Sequence, residues 1–563
     1  MSRRDVFEYL VDGTSGLVPG DVSGKALIAG VCSTGEVGKI YYLGKRSDLT
    51  GLLGAGPLVD RLNDLFTVCG QDATVIAVPV AGTPAGYIGE LKHAGAGPDA
   101  STSGIAASNA DVVIIVTDAG APETAKVKVS VDKGVNFGVA TIVPANRQIT
   151  IDGIGVTVVL DEGDLVKGDS YSFVARAAVG PILKVGLGPD LTIAGTPARA
   201  AEAIIQIVKS GIRNEGQYRL STDGGDNYGP YRTIPIDGLI KIDDTAVTVN
   251  CPAEAYVVGT EYRFSLLAPV PTIISVIEAL ELPMERIDPE FVHVCGPSDS
   301  VDWVALGSVA DDLWNKHRPT FFTCEARRPR DGEDLNDWIT ALKIEREGVA
   351  HRFVSVCAAF GEVTNRTGSS DLRNAGGLLA GRIIEVPVQR DIGRVRDQGI
   401  SALSIPDAYN ESIQVELESS GFVTATKYAG LEGTYWGDAR TLADATSDYQ
   451  FLEVLRVTFK AIRLLRIQAL KSLKDEAGDP VQGADASGLA YLRSNLENAL
   501  DTMVKAVPKE LAGYVISIPD GQDIANNGVA VESELIGIPI IKKIKLFANY
   551  VYAGSKFDPR LSA

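Results

Sequence analysis

Gly56-Pro57-Leu58-Val59-Asp60-Arg61-Leu62-Asn63-Asp64-Leu65-Phe66, with Ala73-Thr74-Val75-Ile76-Ala77-Val78-Pro79-Val80 close behind it, sets the fold class. In the first stretch Leu58, Leu62, Leu65 and Phe66 fall at helical spacing, and Pro57 suits a first helical turn. The second is a short, nearly unbroken apolar run, which reads as a buried strand. Upstream, Ile40-Tyr41-Tyr42-Leu43 is another such run. Far downstream the alternation returns, with strands expected at 291–295, 320–324 and 353–360 and helices at 301–316 and 335–346. Buried strands separated by helices predict a mostly parallel, helix-covered sheet. Residues 26–86 and 271–400 are therefore expected to form one mixed α/β core domain in two parts.

The interruption is a tandem duplication. Ser130-Val131-Asp132-Lys133-Gly134-Val135-Asn136-Phe137-Gly138 recurs 91 residues on as Ser221-Thr222-Asp223-Gly224-Gly225-Asp226-Asn227-Tyr228-Gly229. Gly97-Pro98-Asp99 returns as Gly188-Pro189-Asp190, and Gly168, Tyr171 and Phe173 return as Gly259, Tyr262 and Phe264. A repeat at fixed offset marks a structural unit. Within each copy, Ile149, Ile151, Val156 and Val158 (then Ile240, Ile242, Val247 and Val249) alternate at period two, the mark of half-buried strands. Asp132-Lys133-Gly134 and Asp223-Gly224-Gly225 are turn chemistry. A calcium loop is disfavoured, because the first copy has Val135 where the second has Asp226 and the twelve-residue ligand spacing is absent. Two β-rich modules, 87–178 and 179–270, are thus expected inside the α/β core.

The remainder, 401–563, reads as a C-terminal α+β domain. A long helix is expected over 451–474, a turn-rich break over 478–487 and a second helix over 489–507. Arg456, Lys460 and Arg463, with Arg466 beyond them, make the long helix basic on one face. That stripe is either a solvated face or a contact for an acidic partner. Near the end, Ile544, Leu546, Ala548, Tyr550 and Tyr552 alternate with Lys543, Lys545, Phe547, Asn549 and Val551, as in a strand. At the start, over 1–25, Phe7, Tyr9 and Val11 alternate in the same way, although 6–17 also suits a short helix.

Charge and motif content exclude more than they suggest. The 563 residues include 53 Lys and Arg against 72 Asp and Glu, a formal charge of −19, which disfavours wrapping by nucleic acid. Asp5 and Glu8 break any signal-peptide core, and no apolar run approaches the roughly 20 residues that span a bilayer. Cys32, Cys69, Cys251, Cys295, Cys324 and Cys357 form no C-x-x-C pair and read as reduced thiols, with disulfides between subunits the alternative. Gly35-Glu36-Val37-Gly38-Lys39 lacks the first Gly and final Ser or Thr of a phosphate loop. Neither a dinucleotide fingerprint at Gly54-Ala55-Gly56 nor a hydrolase elbow is present. His93, His293, His317 and His351 are scattered, and His293 reads as a core histidine. Asp243-Asp244 and Asp311-Asp312 read as solvated faces. No catalytic residue, cofactor or metal is expected.

One resemblance draws these parts together. Gly38-Lys39-Ile40-Tyr41-Tyr42-Leu43-Gly44-Lys45-Arg46-Ser47-Asp48-Leu49-Thr50-Gly51-Leu52-Leu53-Gly54-Ala55-Gly56-Pro57-Leu58-Val59-Asp60-Arg61-Leu62, continuing to residues 73–80, resembles the contractile-tail sheath proteins of Mu-like and related myophages. Ala375-Gly376-Gly377-Leu378-Leu379-Ala380-Gly381-Arg382-Ile383-Ile384-Glu385-Val386-Pro387-Val388-Gln389-Arg390 looks like a helix and following loop of the same family. The resemblance covers 26–86 and 271–563 and leaves the repeats outside as surface decorations.

It implies a structural protein of the virion, assembled in the host bacterial cytoplasm, without enzymatic activity. Subunits would stack as six-membered rings around a tail tube protein, bounded by baseplate and tail-terminator proteins, with no nucleic-acid or membrane contact. It also implies exchanged arms: the 544–552 strand and the Phe7–Tyr9–Val11 stretch each add to a neighbour's sheet. Contraction then drives the tube through the host envelope, and the basic helix faces the tube. A different class, a surface-array protein or adhesin whose β modules bind sugar or host protein, accounts for the repeats but leaves the α/β segments unexplained. An enzyme with β appendages is the third reading.

Overall fold

The computed structural model describes residues 22–330, 332–368, 370–479, 486–553, 555, 556 and 560. Phe7, Tyr9 and Val11, the expected N-terminal arm, lie outside the described residues. The chain divides into two compact units, up to Leu470 and from Lys471.

In the first unit seven strands form one sheet in the order Tyr41–Gly44, Thr74–Val80, Ala26–Val31, Phe291–Ser298, Phe321–Ala326, Val354–Cys357 and Phe422–Val423. Every neighbouring pair is parallel except the edge strand Tyr41–Gly44, which runs antiparallel to Thr74–Val80. Ala26 pairs with Phe291 and Leu27 with Ile76, so strands from 26–86 and from beyond 271 sit side by side. Ala26–Val31, Phe321–Ala326 and Val354–Cys357 are buried throughout, as a sheet covered on both faces requires. Helices Pro57–Val68, Ile273–Arg286, Ser300–Asn315, Leu335–Arg346 and Gly376–Glu385 close on it.

Pro57 opens its helix, where the missing N–H costs nothing. Leu58, Leu62, Leu65 and Phe66 are all buried, as their spacing required. That helix lies against Gly376–Glu385 at unusually close range. A Cβ on Gly377 would stand 2.8 Å from the Arg61 carbonyl oxygen, and one on Gly381 would stand 2.7 Å from that of Leu65. Glycine at both positions is what lets the two backbones meet.

Between the two parts of the core, Gly82–Thr83 pairs antiparallel with Val270–Pro271, bringing the ends of the intervening segment together. That segment builds two separate apolar cores. One includes Val112, Ile114, Val156, Val158, Tyr171 and Phe173; the other includes Ala203, Ile205, Val247, Val249, Tyr262 and Phe264. Hydrogen bonds recur at the same 91-residue offset. Tyr171 Oη donates to the Pro98 carbonyl (2.6 Å) and Tyr262 Oη to that of Pro189 (2.9 Å). Ser130 Oγ donates to Asp132 (2.6 Å) and Ser221 Oγ to Asp223 (2.6 Å).

The second unit begins with the end of helix Leu452–Lys471 and contains helix Ser487–Val504 and the antiparallel hairpin Gly513–Ser517/Glu532–Ile536. Leu489, Ala486 and Ile518 are buried together in a small core.

Candidate assembly surface

The hairpin of the second unit is a two-stranded sheet, so each strand has one edge without a ladder partner among the described residues. Its inner side is fixed by helix Ser487–Val504. Tyr514 Oη donates to the Glu497 carbonyl oxygen (2.9 Å) and to Asp501 Oδ1 (2.8 Å), and Ile516 is buried. Burial and the Asp501 carboxylate push the Tyr514 hydroxyl up to about 12, so it remains a donor at neutral pH. Chain leaving Ile536 enters no helix or strand over residues 537–552.

Ile544, Leu546, Ala548, Tyr550 and Tyr552 all lie in that stretch and are exposed, Leu546 at 90% and Tyr550 at 83%. The strand expected there is therefore not formed within the chain. Alternation of side chains is a property of sequence, whereas a strand also needs a backbone to pair with. Exposure of this many large apolar side chains on one segment is the mark of an interaction site.

The basic face of the long helix is corrected by its burial. Helix Leu452–Lys471 packs Leu455 and Phe459 into the core of the first unit, where Phe459 meets Phe353 at 5.3 Å between ring centroids. Arg456 and Arg463, expected at a tube-facing surface, are 2% and 3% exposed. They stand three residues before and four after Phe459, which puts them on its side of the helix. Arg456 Nε donates to Glu290 Oε1 at 2.5 Å, and its Nη1 reaches the Val386 carbonyl at 3.3 Å. Arg463 holds Asp288, with Nη2 at 2.9 Å from Oδ1 and at 2.6 Å from the Pro319 carbonyl oxygen. Glu290 also accepts from the backbone N–H of Gly24. These arginines tie the helix to the turn before strand Phe291–Ser298 and present no charge outward. Lys460 and Arg466 are half-buried.

Comparison with known proteins places the chain. Residues 3–440 match the model of the DUF2586 N-terminal domain, and residues 448–555 match that of the DUF2586 C-terminal domain. The chain belongs to the DUF2586 family. No curated protein matches its sequence. Solved structures similar to this DUF2586 chain include the sheath tail protein of Desulfitobacterium hafniense, at 12% identity over 95% of this chain and 100% of that one, with a TM-score of 0.43. The sheath tail protein of Listeria innocua is 10% identical over 91% of this chain and 95% of that one, with a TM-score of 0.38. The anti-feeding prophage helical sheath in its contracted state is 16% identical over 52% of this chain and 78% of that one, with a TM-score of 0.35.

Several buried ionisable groups of the DUF2586 chain are engaged in its own structure. His293 is fully buried, with Nδ1 3.0 Å from Thr323 Oγ1 and Nε2 3.3 Å from Glu325 Oε1. Burial alone would raise the Glu325 carboxyl, but the Arg61 guanidinium, bonded to it at 2.7 Å, and His293 hold it at about 2. Arg373 in turn bonds Asp64 at 2.6 and 3.0 Å. Asp243 and Asp311, read as solvated, are exposed and also partnered: Arg232 clasps Asp243 at 2.6 and 2.8 Å, and His351 meets Asp311 at 3.0 Å. In the first module the Asn136 backbone N–H, with the Ser130 and Asn136 side chains, holds the Asp132 carboxyl at about 2. That carboxylate is thus occupied by its own turn. Among the described residues no cluster of His, Cys, Asp and Glu is arranged to hold a metal ion, and no helix is long and apolar enough to cross a membrane.

All six cysteines are free thiols, and only Cys32 is less than fully buried. Burial pushes the Cys69 thiol up to about 12 and that of Cys251 to about 11. Under native conditions near neutral pH, a thiol reagent is expected to label Cys32 at most. Mass spectrometry finding Cys295, Cys324 or Cys357 modified in the folded protein would contradict this packing.

Sequence reasoning missed the hairpin, although Tyr514, Ile516 and the Asp520-Gly521 pair were legible signals of a strand and a turn.

Proposed function

We propose that the chain is the sheath subunit of a contractile tail, assembled as stacked six-membered rings around a tail tube protein. The observation that carries this reading is the segment 537–552, whose alternating apolar side chains are exposed beside a two-stranded hairpin with unpaired edges. Such a pair of features is incomplete in one chain and complementary between two. An added strand gains backbone hydrogen bonds at the edge, and its alternate side chains set the register. The sequence resemblance of 38–62, 73–80 and 375–390 to sheath proteins supports the same reading.

In this account exchanged arms keep the array connected while the first units rotate and slide. The extended array is metastable, and contraction releases the free energy of tighter packing between bodies, driving the tube through the host envelope. Lys460 and Arg466 remain the candidates for the tube-facing surface. Baseplate and tail-terminator proteins cap the array, and the assembled particle is a virion tail put together in the host cytoplasm. Negative-stain microscopy of the purified protein tests the reading. Hollow, transversely striated tubes or six-fold rings are expected, and a protein that stays monomeric at every concentration and salt would overturn it.

The β modules are decorations in this scheme. Because Thr83 pairs with Val270 and Gly82 with Pro271, a short linker can replace residues 88–269 without stretching the core. The shortened protein is expected to assemble as the parent does. Failure to assemble, with the α/β unit still folded by circular dichroism, would assign the modules a part in the contact.

A further inference from the structure

The hairpin and the segment that follows it carry opposite charge. Glu534 lies opposite Val515 and Glu532 opposite Ser517 in the ladder. Directly paired residues share a face, so both carboxylates stand with Val515 and Ile536 on the outer side, away from buried Ile516. Glu532, Glu534, Val515 and Ile536 are all exposed, and neither glutamate has an ion-pair partner among the described residues. Residues 537–553 carry Lys542, Lys543 and Lys545 and no acid, within a chain of net charge −19. In extended form, Lys543 and Lys545 project to one side and Ile544, Leu546, Ala548, Tyr550 and Tyr552 to the other.

We propose that the segment of one copy docks on the Glu532–Ile536 edge of a second copy, with Lys543 and Lys545 beside Glu532 and Glu534 keying the register. This deepens, and rests on, the assembly reading above. The alternative edge, Gly513–Ser517, carries no charge to meet the lysines. The chain's own segment does not return to the Glu532–Ile536 edge, since 537–552 pairs with no strand. A docked strand has two faces to satisfy at once. Its apolar side continues the Ile516 and Leu535 side of the hairpin, and its lysines meet the carboxylates. Slipping by one residue would turn Lys543 and Lys545 inward and set Ile544 and Leu546 beside the glutamates, so the charge pairs select one face as well as one partner.

Charge swaps test this. Two double variants, Glu532→Lys with Glu534→Lys and Lys543→Glu with Lys545→Glu, are each expected to need about tenfold or more protein to assemble at low salt, read by sedimentation and negative stain. Raising the salt narrows the difference. Combining all four changes in one chain is expected to restore assembly, and so is mixing the two double variants, a rescue that misfolded proteins cannot give. Double variants that assemble like the parent, or a fourfold variant and a mixture that both stay impaired, would overturn the proposal. Removal of 540–563 separates the two levels. If it blocks assembly while the double variants assemble normally, strand exchange stands and the ionic key falls; if the truncated chain also assembles, both fall.

Discussion

Protein lacking residues 540–563 is expected to be folded, monomeric and unable to form tubes at any concentration that suffices for the parent. The effect is all-or-none because the deletion removes Ile544, Leu546, Tyr550 and Tyr552 together, large apolar side chains that are all strongly exposed in the single chain. Burial of apolar surface is favourable by about 25 cal/mol per Å2, so removing this row of large exposed side chains removes the segment's main apolar contribution to any contact it makes. Among the described residues, 537–552 pairs with no strand, so no sheet of the fold rests on it. Thermal unfolding should therefore be unchanged. Analytical ultracentrifugation reads the outcome, and tubes of normal appearance from the truncated protein would show that the contacts lie elsewhere.

The second large effect concerns stability. Arg463→Ala leaves the Asp288 carboxylate buried without its partner, and Arg456→Ala does the same to Glu290. Breaking a buried pair from one side costs about 3–5 kcal/mol, because the remaining charge loses both water and its counter-ion. A surface arginine would cost within roughly 0.5 kcal/mol. Each substitution is thus expected to lower the thermal midpoint of the first unit clearly, even in protein that has never assembled. Lys460→Glu, at a half-buried position, is expected to lower the midpoint less than Arg463→Ala and to weaken assembly. If Arg463→Ala melts with the parent and only tube contact weakens, the stripe faces a partner after all.

These two outcomes also show where sequence is informative. Leu58, Leu62, Leu65 and Phe66 announced a helix because a 3.6-residue period is visible locally, and the run 74–80 announced a buried strand because both its faces are apolar. The helices at 300–315 and 335–346 were legible for the same reason. Arg456 and Arg463 were misread because their partners, Glu290 and Asp288, lie 166 and 175 residues away, and a charge pattern on a helix says nothing of what stands opposite. The one clue was their flanking of Phe459. At 544–552 the alternation was legible but the pairing was not, since alternation does not say which edge, if any, a strand will join. The hairpin Gly513–Ser517/Glu532–Ile536 escaped notice because its strands are short and the intervening segment 518–531 contains a helical turn of its own.

A cryo-electron microscopy map of the assembled protein, at a resolution that traces the backbone, tests the central claim most directly. The account predicts density for residues 541–552 running as a strand along the Glu532–Ile536 edge of an adjacent protomer, with the apolar side chains directed inward. Density that follows the same residues back onto their own hairpin, with every protomer closed upon itself, would contradict it.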